Sequence, residues 1–342
     1  MMNRNAKKNL VWLALLMVAS IWIIASHKKS IPAYITERGT VFGTVYHITY
    51  RNSISLKDEI DGLLQRFDGS LSPFNDTAVI TRVNRNEDVR VDTLFSRVFR
   101  RSMEISELTH GAFDITVAPL VNAYGFGFEE QRFPDTDMID SLKQFVGFRK
   151  VRLSSDGKVV KDDSRLKLDC SAIAKGYAVD IVADYLRGQG IADFMVDIGG
   201  EVVVGGRNPE GDLWRIGVNK PVDDSLAVNQ DLQTVLHLTG VGIATSGNYR
   251  NFYYKDGMKY AHTIDPRSGQ PVRHSLLSAT VVASDCMTAD AFATAFMVLG
   301  LDSASVLADG RDDIEAYFIY ADSLGNIHTK STTGMARYLG DR

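Results

Sequence analysis

Two groups that could manage a phosphate stand close together in Asp169-Cys170-Ser171-Ala172-Ile173-Ala174-Lys175-Gly176. The acid closes a short predicted strand, Lys167 to Cys170, and the lysine lies one turn inside the helix that follows, with Ser171 as its cap. A helix start presents unpaired N–H groups and the positive end of the helix dipole, which together seat an anion. Lys175 adds a point charge at the same place. The plainer alternative is a solvated helix start in which Lys175 pairs with Asp169, as surface acids and lysines often do.

A second pair, Asp290 and Thr294, lies four residues apart in Ala289-Asp290-Ala291-Phe292-Ala293-Thr294 and so shares one helix face. An ionised carboxylate on an apolar helix is costly unless it is paired or holds a metal. Oxygen donors of this kind suit a hard cation such as Mg2+ better than zinc. The alternative is a first-turn acid favoured by the helix dipole. A third cluster joins Thr245-Ser246-Gly247-Asn248-Tyr249 to His262-Thr263-Ile264-Asp265-Pro266-Arg267-Ser268-Gly269, two turns studded with hydrogen-bonding groups. Small residues there let backbone approach a ligand, and His262 can exchange a proton near neutral pH, although a histidine in a turn is also an ordinary structural residue.

Other chemistries lose their support. There is no GxxxxGK[ST], no GxGxxG after a strand and no GxSxG elbow. The seven histidines, at 27, 47, 110, 237, 262, 274 and 328, form no HExxH or similar metal spacing. Cys170 and Cys286 are the two cysteines, each inside an apolar run, which fits neither a disulfide framework nor a thiolate zinc site.

The elements that must position these groups are read from periodicity. Val41 to Tyr50 alternates as a strand, Leu56 to Phe67 carries apolar residues at helical spacing, and Thr93 to Thr109 is an amphipathic helix stopped by His110-Gly111. The helix begun at Ser171 runs to Gly188. Ala192 to Val204 and Trp214 to Val218 alternate like paired strands across a turn-rich connection, and Val235 to Leu238, Gly242 to Thr245 and Leu277 to Ala283 add more. Ala289 to Leu299 is the last strong helix, closed by Gly300. Strands in runs with irregularly interspersed helices predict an α+β fold rather than a doubly wound sheet.

The chain has 342 residues, 45% hydrophobic and 23% charged, a globular composition that excludes disorder and collagen-like structure. Its net charge of -4, from 38 basic and 42 acidic residues, gives no global attraction for nucleic acid or an anionic membrane. Arg4, Lys7 and Lys8 precede an apolar stretch from Leu10 to Ala25, after which His27, Lys28 and Lys29 restore polarity. This reads as an export segment, either a signal peptide or an uncleaved anchor, and predicts that residues 31–342 work outside the cytoplasm as one domain behind a 1–30 leader. The stretch is short against the roughly 20 residues of a spanning helix.

Taken in order, several stretches resemble the ApbE family, the FAD:protein FMN transferases, from about Phe42 to Gly300. They are Phe42-Gly43-Thr44-x-Tyr46, Leu71-Ser72-Pro73-Phe74, Gly111-Ala112-Phe113-Asp114 through Gly125-Phe126-Gly127, Asp169 to Gly176, Asp197-Ile198-Gly199-Gly200, Thr245-Ser246-Gly247, His262 to Gly269, and Ala289-Asp290 with Thr294. The resemblance implies an ApbE-like fold with mixed, largely antiparallel sheets and flanking helices. It implies a Mg2+-dependent enzyme that splits FAD at its pyrophosphate, esterifies the FMN phosphate to a threonine or serine of a partner flavoprotein, and releases AMP. By position, the metal would be held by Asp290 and Thr294 side chains and by backbone oxygens near Ala172 and Ala293. FAD contacts would fall on Phe42, Phe74, Ala112, Phe113, Asp114, Asp169, Lys175 and Ile264. His262 or Asp265 would take the acceptor proton.

Two departures from the family pattern are visible: Phe42 stands where methionine is usual, and Phe74 where tyrosine is usual. No lipoprotein cysteine follows the apolar stretch, so an N-terminal helix would be the membrane attachment, on the periplasmic side of a bacterial inner membrane. The family's acceptor motif, Asp-[Ser/Thr]-Gly-[Ala/Ser]-[Ser/Thr], does not occur here, so modification would be in trans. Two rivals use the same residues: a Mg2+-dependent FAD pyrophosphatase yielding FMN and AMP, and an exported FAD-binding protein without chemistry.

Overall fold

The computed structural model describes residues 33–127, 134–221, 231–248, 252–255 and 258–340, together with 12, 13, 15–18 and 20. Eight strands form one sheet in the order β1 (Tyr34–Val41), β2 (Thr44–Arg51), β5 (Phe194–Ile198), β6 (Glu201–Gly205), β9 (Val241–Gly247), β12 (Leu276–Ala283), β13 (Ile314–Ala321) and β14 (Ile327–Ser331). Every neighbouring pair is antiparallel. Three two-stranded pieces accompany it: β3 (Val151–Leu153) with β4 (Val159–Lys161), β7 (Trp214–Asn219) with β8 (Leu232–Leu238), and β10 (Phe252–Lys255) with β11 (Met258–Ala261). The predicted α+β class and antiparallel pairing are what the backbone shows.

Both faces of the sheet are covered. Val196, Ile198, Val203, Ala244 and Val281 join the main core with Phe67, Ile173, Val179, Phe292 and Phe296 from the helices. Val202, Val204, Ile243, Val282 and Ile319 turn the other way, onto Trp214, Leu236 and Leu238 of the β7–β8 hairpin and Met335. Successive strand residues point to opposite faces, so β6 is buried along its whole length and reads as an apolar run rather than an alternation.

Two long helices run over the main core: the Lys175 helix (Ser171–Gly188) and the Asp290 helix (Cys286–Asp309). Helices Lys57–Leu71 and Thr93–Leu108 pack beside the Lys175 helix, and the short helices Val79–Asn84, Ala118–Ala123 and Thr136–Lys143 connect them to the rest. The Asp290 helix is long and apolar enough to cross a membrane by composition, but most of it is buried in the core.

Several sequence expectations are corrected. Val41 to Tyr50 is not one strand. Phe42 and Gly43 both take positive φ, 53° and 73°, and make a two-residue hairpin with Val41 opposite Thr44. Apolar alternation continues through such a turn, which hides it. Trp214 to Val218 pairs with β8 rather than with the Ala192 to Val204 segment, which is itself a hairpin folded at Gly199-Gly200. Lys167 to Cys170 is irregular rather than a strand, and the Ser171 N–H is capped by the Asp169 carboxylate at 2.8 Å, with Cys170 at the N-cap position. The final helix starts earlier than Ala289, at Cys286, and breaks its helical geometry at Gly300 (φ 75°, ψ 170°) before continuing to Asp309.

Within the apolar N-terminal stretch, residues 12, 13, 15–18 and 20 are helical, and Trp12, Leu13, Leu15, Leu16, Met17 and Val18 are all more than half exposed. The rest of the 1–30 leader expectation lies outside the described residues.

Candidate functional site

The Lys175 and Asp290 helices cross at Gly176. A Cβ there would sit 2.4 Å from the Cys286 carbonyl oxygen, so only glycine permits this approach. The Gly176 N–H donates to Asp290 Oδ2 at 3.0 Å. One turn further along, the buried Asp180 carboxylate accepts the N–H groups of Cys286 and Met287, each at 2.8 Å, and so ties the start of one helix to the side of the other. Asp285 caps the same helix from its own chain, accepting from the Thr288 N–H at 2.8 Å. These contacts hold Asp290 against the helical turn that carries Lys175, although 115 positions of sequence separate the two residues.

A cavity of about 440 Å³ opens beside this crossing, in the size range of small-molecule sites. Lys175, Asp290, Thr294, Asp169, Ala172 and Glu201 line one side. Ala112, Phe113, Asp114, Phe126, His262 and Ile264 line another. Ser246 Oγ, at the end of β9, stands 3.2 Å from Thr294 Oγ1. Parts of the Asp169–Gly176, Thr245–Gly247, His262–Gly269 and Asp290–Thr294 stretches therefore meet around one space.

Its electrostatics are dominated by buried acids. Lys175 Nζ contacts Glu201 Oε1 at 2.6 Å, and Glu201 is 4% exposed. Burial opposes the charge on Lys175, but Glu201 and Asp290 outweigh it and hold the ammonium above its ordinary pKa. Burial pushes Asp290 up, opposed by Lys175 and by the Gly176 N–H. Asp169 is likewise raised by burial, against its bonds from Ser171. The alternative in which Lys175 pairs with Asp169 is not what forms: the lysine's partner is Glu201, which the sequence reading missed.

Asp290, 4% exposed, makes no ion pair among the described residues and receives one backbone N–H. A buried carboxylate so placed, one turn from a hydroxyl, fits a hard divalent cation. No group of three or more His, Cys, Asp or Glu is arranged for a metal among the described residues, so such an ion would rely on Asp290, neutral oxygens and its substrate. Asp290, Thr294 and Ala172 line the cavity; Ala293, fully buried, does not.

The remaining expected residues divide. Ala112, Phe113, Asp114 and Ile264 line the cavity as anticipated, but both Asp114 oxygens are engaged, one by Thr116 and one by the Phe148 N–H at 2.8 Å, which makes it a loop anchor in this structure. Asp265 does not line the cavity, and its carboxylate is occupied by the Arg267 side chain at 2.9 Å through both oxygens. His262 lines the wall, its ring 6.4 Å from that of Phe126. Phe42 and Phe74 are not on this wall. Phe42 packs on Phe67 at 5.2 Å and borders a separate recess against the Lys57–Leu71 helix, while Phe74 is 75% exposed.

With this geometry in hand, the matches to known proteins are coherent. The ApbE family model covers residues 42–318, and the chain belongs to that family. FAD:protein FMN transferase of Vibrio cholerae is 36% identical over 87% of this chain and 90% of its own length, and that of Escherichia coli K12 is 34% identical over 89% and 91%. The solved structure of the flavin transferase ApbE from Vibrio cholerae matches with a TM-score of 0.81 at 33% identity, over 90% of this chain and 99% of the other. The apo form of the Pseudomonas stutzeri flavinyl transferase ApbE gives 0.81 at 30% identity, over 92% and 99%.

Proposed function

We propose that this chain is a Mg2+-dependent FAD:protein FMN transferase that modifies a threonine or serine of a partner flavoprotein. The observation that carries the reading is the convergence of Lys175, Asp290, Thr294 and His262 on one cavity. In the reaction, the acceptor hydroxyl oxygen forms a bond to the phosphorus of the FMN half. The pyrophosphate bridge bond breaks, and AMP leaves with the bridging oxygen.

Asp290 and Thr294, with a backbone oxygen near Ala172, would hold the Mg2+. When bound, the ion offsets the phosphate charge and the charge that develops on the leaving oxygen. Lys175 orients the same phosphates through its ammonium group. His262 is the wall residue placed to take the acceptor proton, since Asp265 is engaged by Arg267. Phe126, half-buried on the wall, offers flat apolar surface for an aromatic ring system.

The exposed apolar helical residues between 12 and 20, flanked by basic residues in the sequence, support attachment to a membrane or export across it, with 31–342 as the catalytic domain on the periplasmic side. The acceptor is then an exported or membrane flavoprotein carrying Asp-[Ser/Thr]-Gly-[Ala/Ser]-[Ser/Thr].

The test is mass spectrometry of an acceptor domain bearing that motif after incubation with FAD, Mg2+ and the enzyme. An FMN-sized adduct on one hydroxyl residue, abolished by chelator, is the expected result. Free FMN with an unmodified acceptor would mean hydrolysis instead, and FAD recovered intact would mean binding without chemistry.

A further inference from the structure

The cavity that receives an anionic dinucleotide is itself acidic. Among the described residues its wall carries Asp114, Asp169, Glu201 and Asp290 against one lysine, Lys175. That lysine is already engaged, 2.6 Å from Glu201 Oε1. The second oxygen of the same carboxylate, Glu201 Oε2, is buried and accepts no hydrogen bond among the described residues. An unpartnered buried carboxylate oxygen is costly, so its environment is incomplete without a ligand, a proton or a cation. Glu201 is 6% exposed at its side chain and fixed on β6, whereas the Lys175 side chain is 35% exposed and sits on a flexible four-carbon stem. Of the pair, the lysine is the one able to move.

We propose that Glu201 is an exchangeable counter-ion: it holds Lys175 in the ligand-free enzyme and gives up the ammonium to the pyrophosphate when FAD binds. This deepens the transferase reading and rests on it. The exchange leaves Glu201 facing a phosphate, which is unfavourable unless the acid excess around Asp290 is neutralised. FAD and the divalent ion therefore bind with positive coupling, and Glu201 sets its size. A metal-free enzyme is kept from sequestering FAD that it cannot use.

The experiment is equilibrium FAD binding, followed by flavin fluorescence, for the wild type, Glu201→Gln, Lys175→Met and the double variant, each in excess EDTA and in Mg2+. Glu201→Gln keeps the side-chain shape and removes the charge. In EDTA it is expected to bind FAD about tenfold or more tightly than the wild type, the scale of a charged hydrogen bond. The gain shrinks in Mg2+ and disappears in the Lys175→Met background. Glu201→Asp, which retains the charge but shortens the reach, is expected to fall between.

Equal or weaker binding by Glu201→Gln in EDTA would overturn the counter-ion role, as would a gain that survives Lys175→Met. Either result leaves the transferase reading standing if the wild type binds FAD. A wild type that binds no FAD in either condition overturns both.

Discussion

The Gly176 N–H and the Asp290 carboxylate lie 3.0 Å apart across a helix crossing that tolerates no side chain at position 176. A Cβ there would come within 2.8 Å of Asp290 Cβ as well as 2.4 Å of the Cys286 carbonyl. Neither obstacle is a flexible side-chain tip, so Gly176→Ala has to push the helices apart. Overpacking of this kind costs about 1–3 kcal/mol. It also displaces Asp290 from Lys175, and misplacement near 1 Å lowers a positioned reaction by about tenfold or more. Thermal melts and initial rates of flavin transfer should both fall; an alanine variant matching the wild type in both would refute the account.

Asp180 works from the next turn of the same helix. Burial pushes its carboxyl up to about 7, against the pull of the Cys286 and Met287 N–H groups. Between pH 4 and 7 the unfolded chain has lost this proton while the folded chain retains it. Stability from this group therefore falls as pH rises through that window, by up to about 1.4 kcal/mol per pH unit, and levels off above it. The difference in unfolding free energy between the wild type and Asp180→Asn, measured across pH 4 to 8, isolates the effect. A difference that grows with pH would show that the N–H groups win over burial and the carboxylate is ionised throughout. At neutral pH, Asp180→Ala leaves two buried N–H groups unpaired and is expected to cost about 1–3 kcal/mol for each.

Asp290 was legible in the sequence and Glu201 was not, for a physical reason. An acid among alanines and phenylalanines on a helix stands out because helical spacing shows which face it occupies. Glu201 opens a strand buried on both faces, where period-2 alternation disappears, and its partner lysine lies 26 positions away in the sequence. The two-glycine turn before it, Gly199-Gly200, and its place as the charged residue of β6 were the available signals. Asp180 carried a similar mark to Asp290, an acid between apolar neighbours Val179 and Ile181 on a helix, four residues after Gly176. The α+β class and most helices could be read from periodicity, whereas the Phe42-Gly43 hairpin and the pairing of β7 with β8 depend on turn conformation and on contacts distant in sequence.

His262 and Asp265 separate cleanly by substitution. His262→Ala removes the proposed proton acceptor and is expected to lower the transfer rate by about 10²–10⁴-fold with little change in FAD affinity. Asp265→Asn loosens the Arg267 turn and should change the rate by far less. Side-by-side kcat and KM values on an acceptor domain decide the matter. Equal losses of kcat would return Asp265 to the chemistry.

Asp290→Asn sets stability against activity. The native carboxylate is 4% exposed and without an ion pair among the described residues, so ionising it in the absence of a cation is unfavourable. The amide oxygen of asparagine still accepts the Gly176 N–H and carries no charge. The variant is therefore expected to melt higher than the wild type in EDTA, by an amount corresponding to about 1–2 kcal/mol, as removal of strained active-site charge commonly does. In Mg2+ the order should reverse if Asp290 holds the ion as proposed, because the wild type would gain the free energy of binding it and the variant would not. Transfer activity should fall to background in the variant. Melting curves with and without Mg2+ check this without any turnover, and a wild type whose melting temperature ignores Mg2+ would remove Asp290 from the cation site.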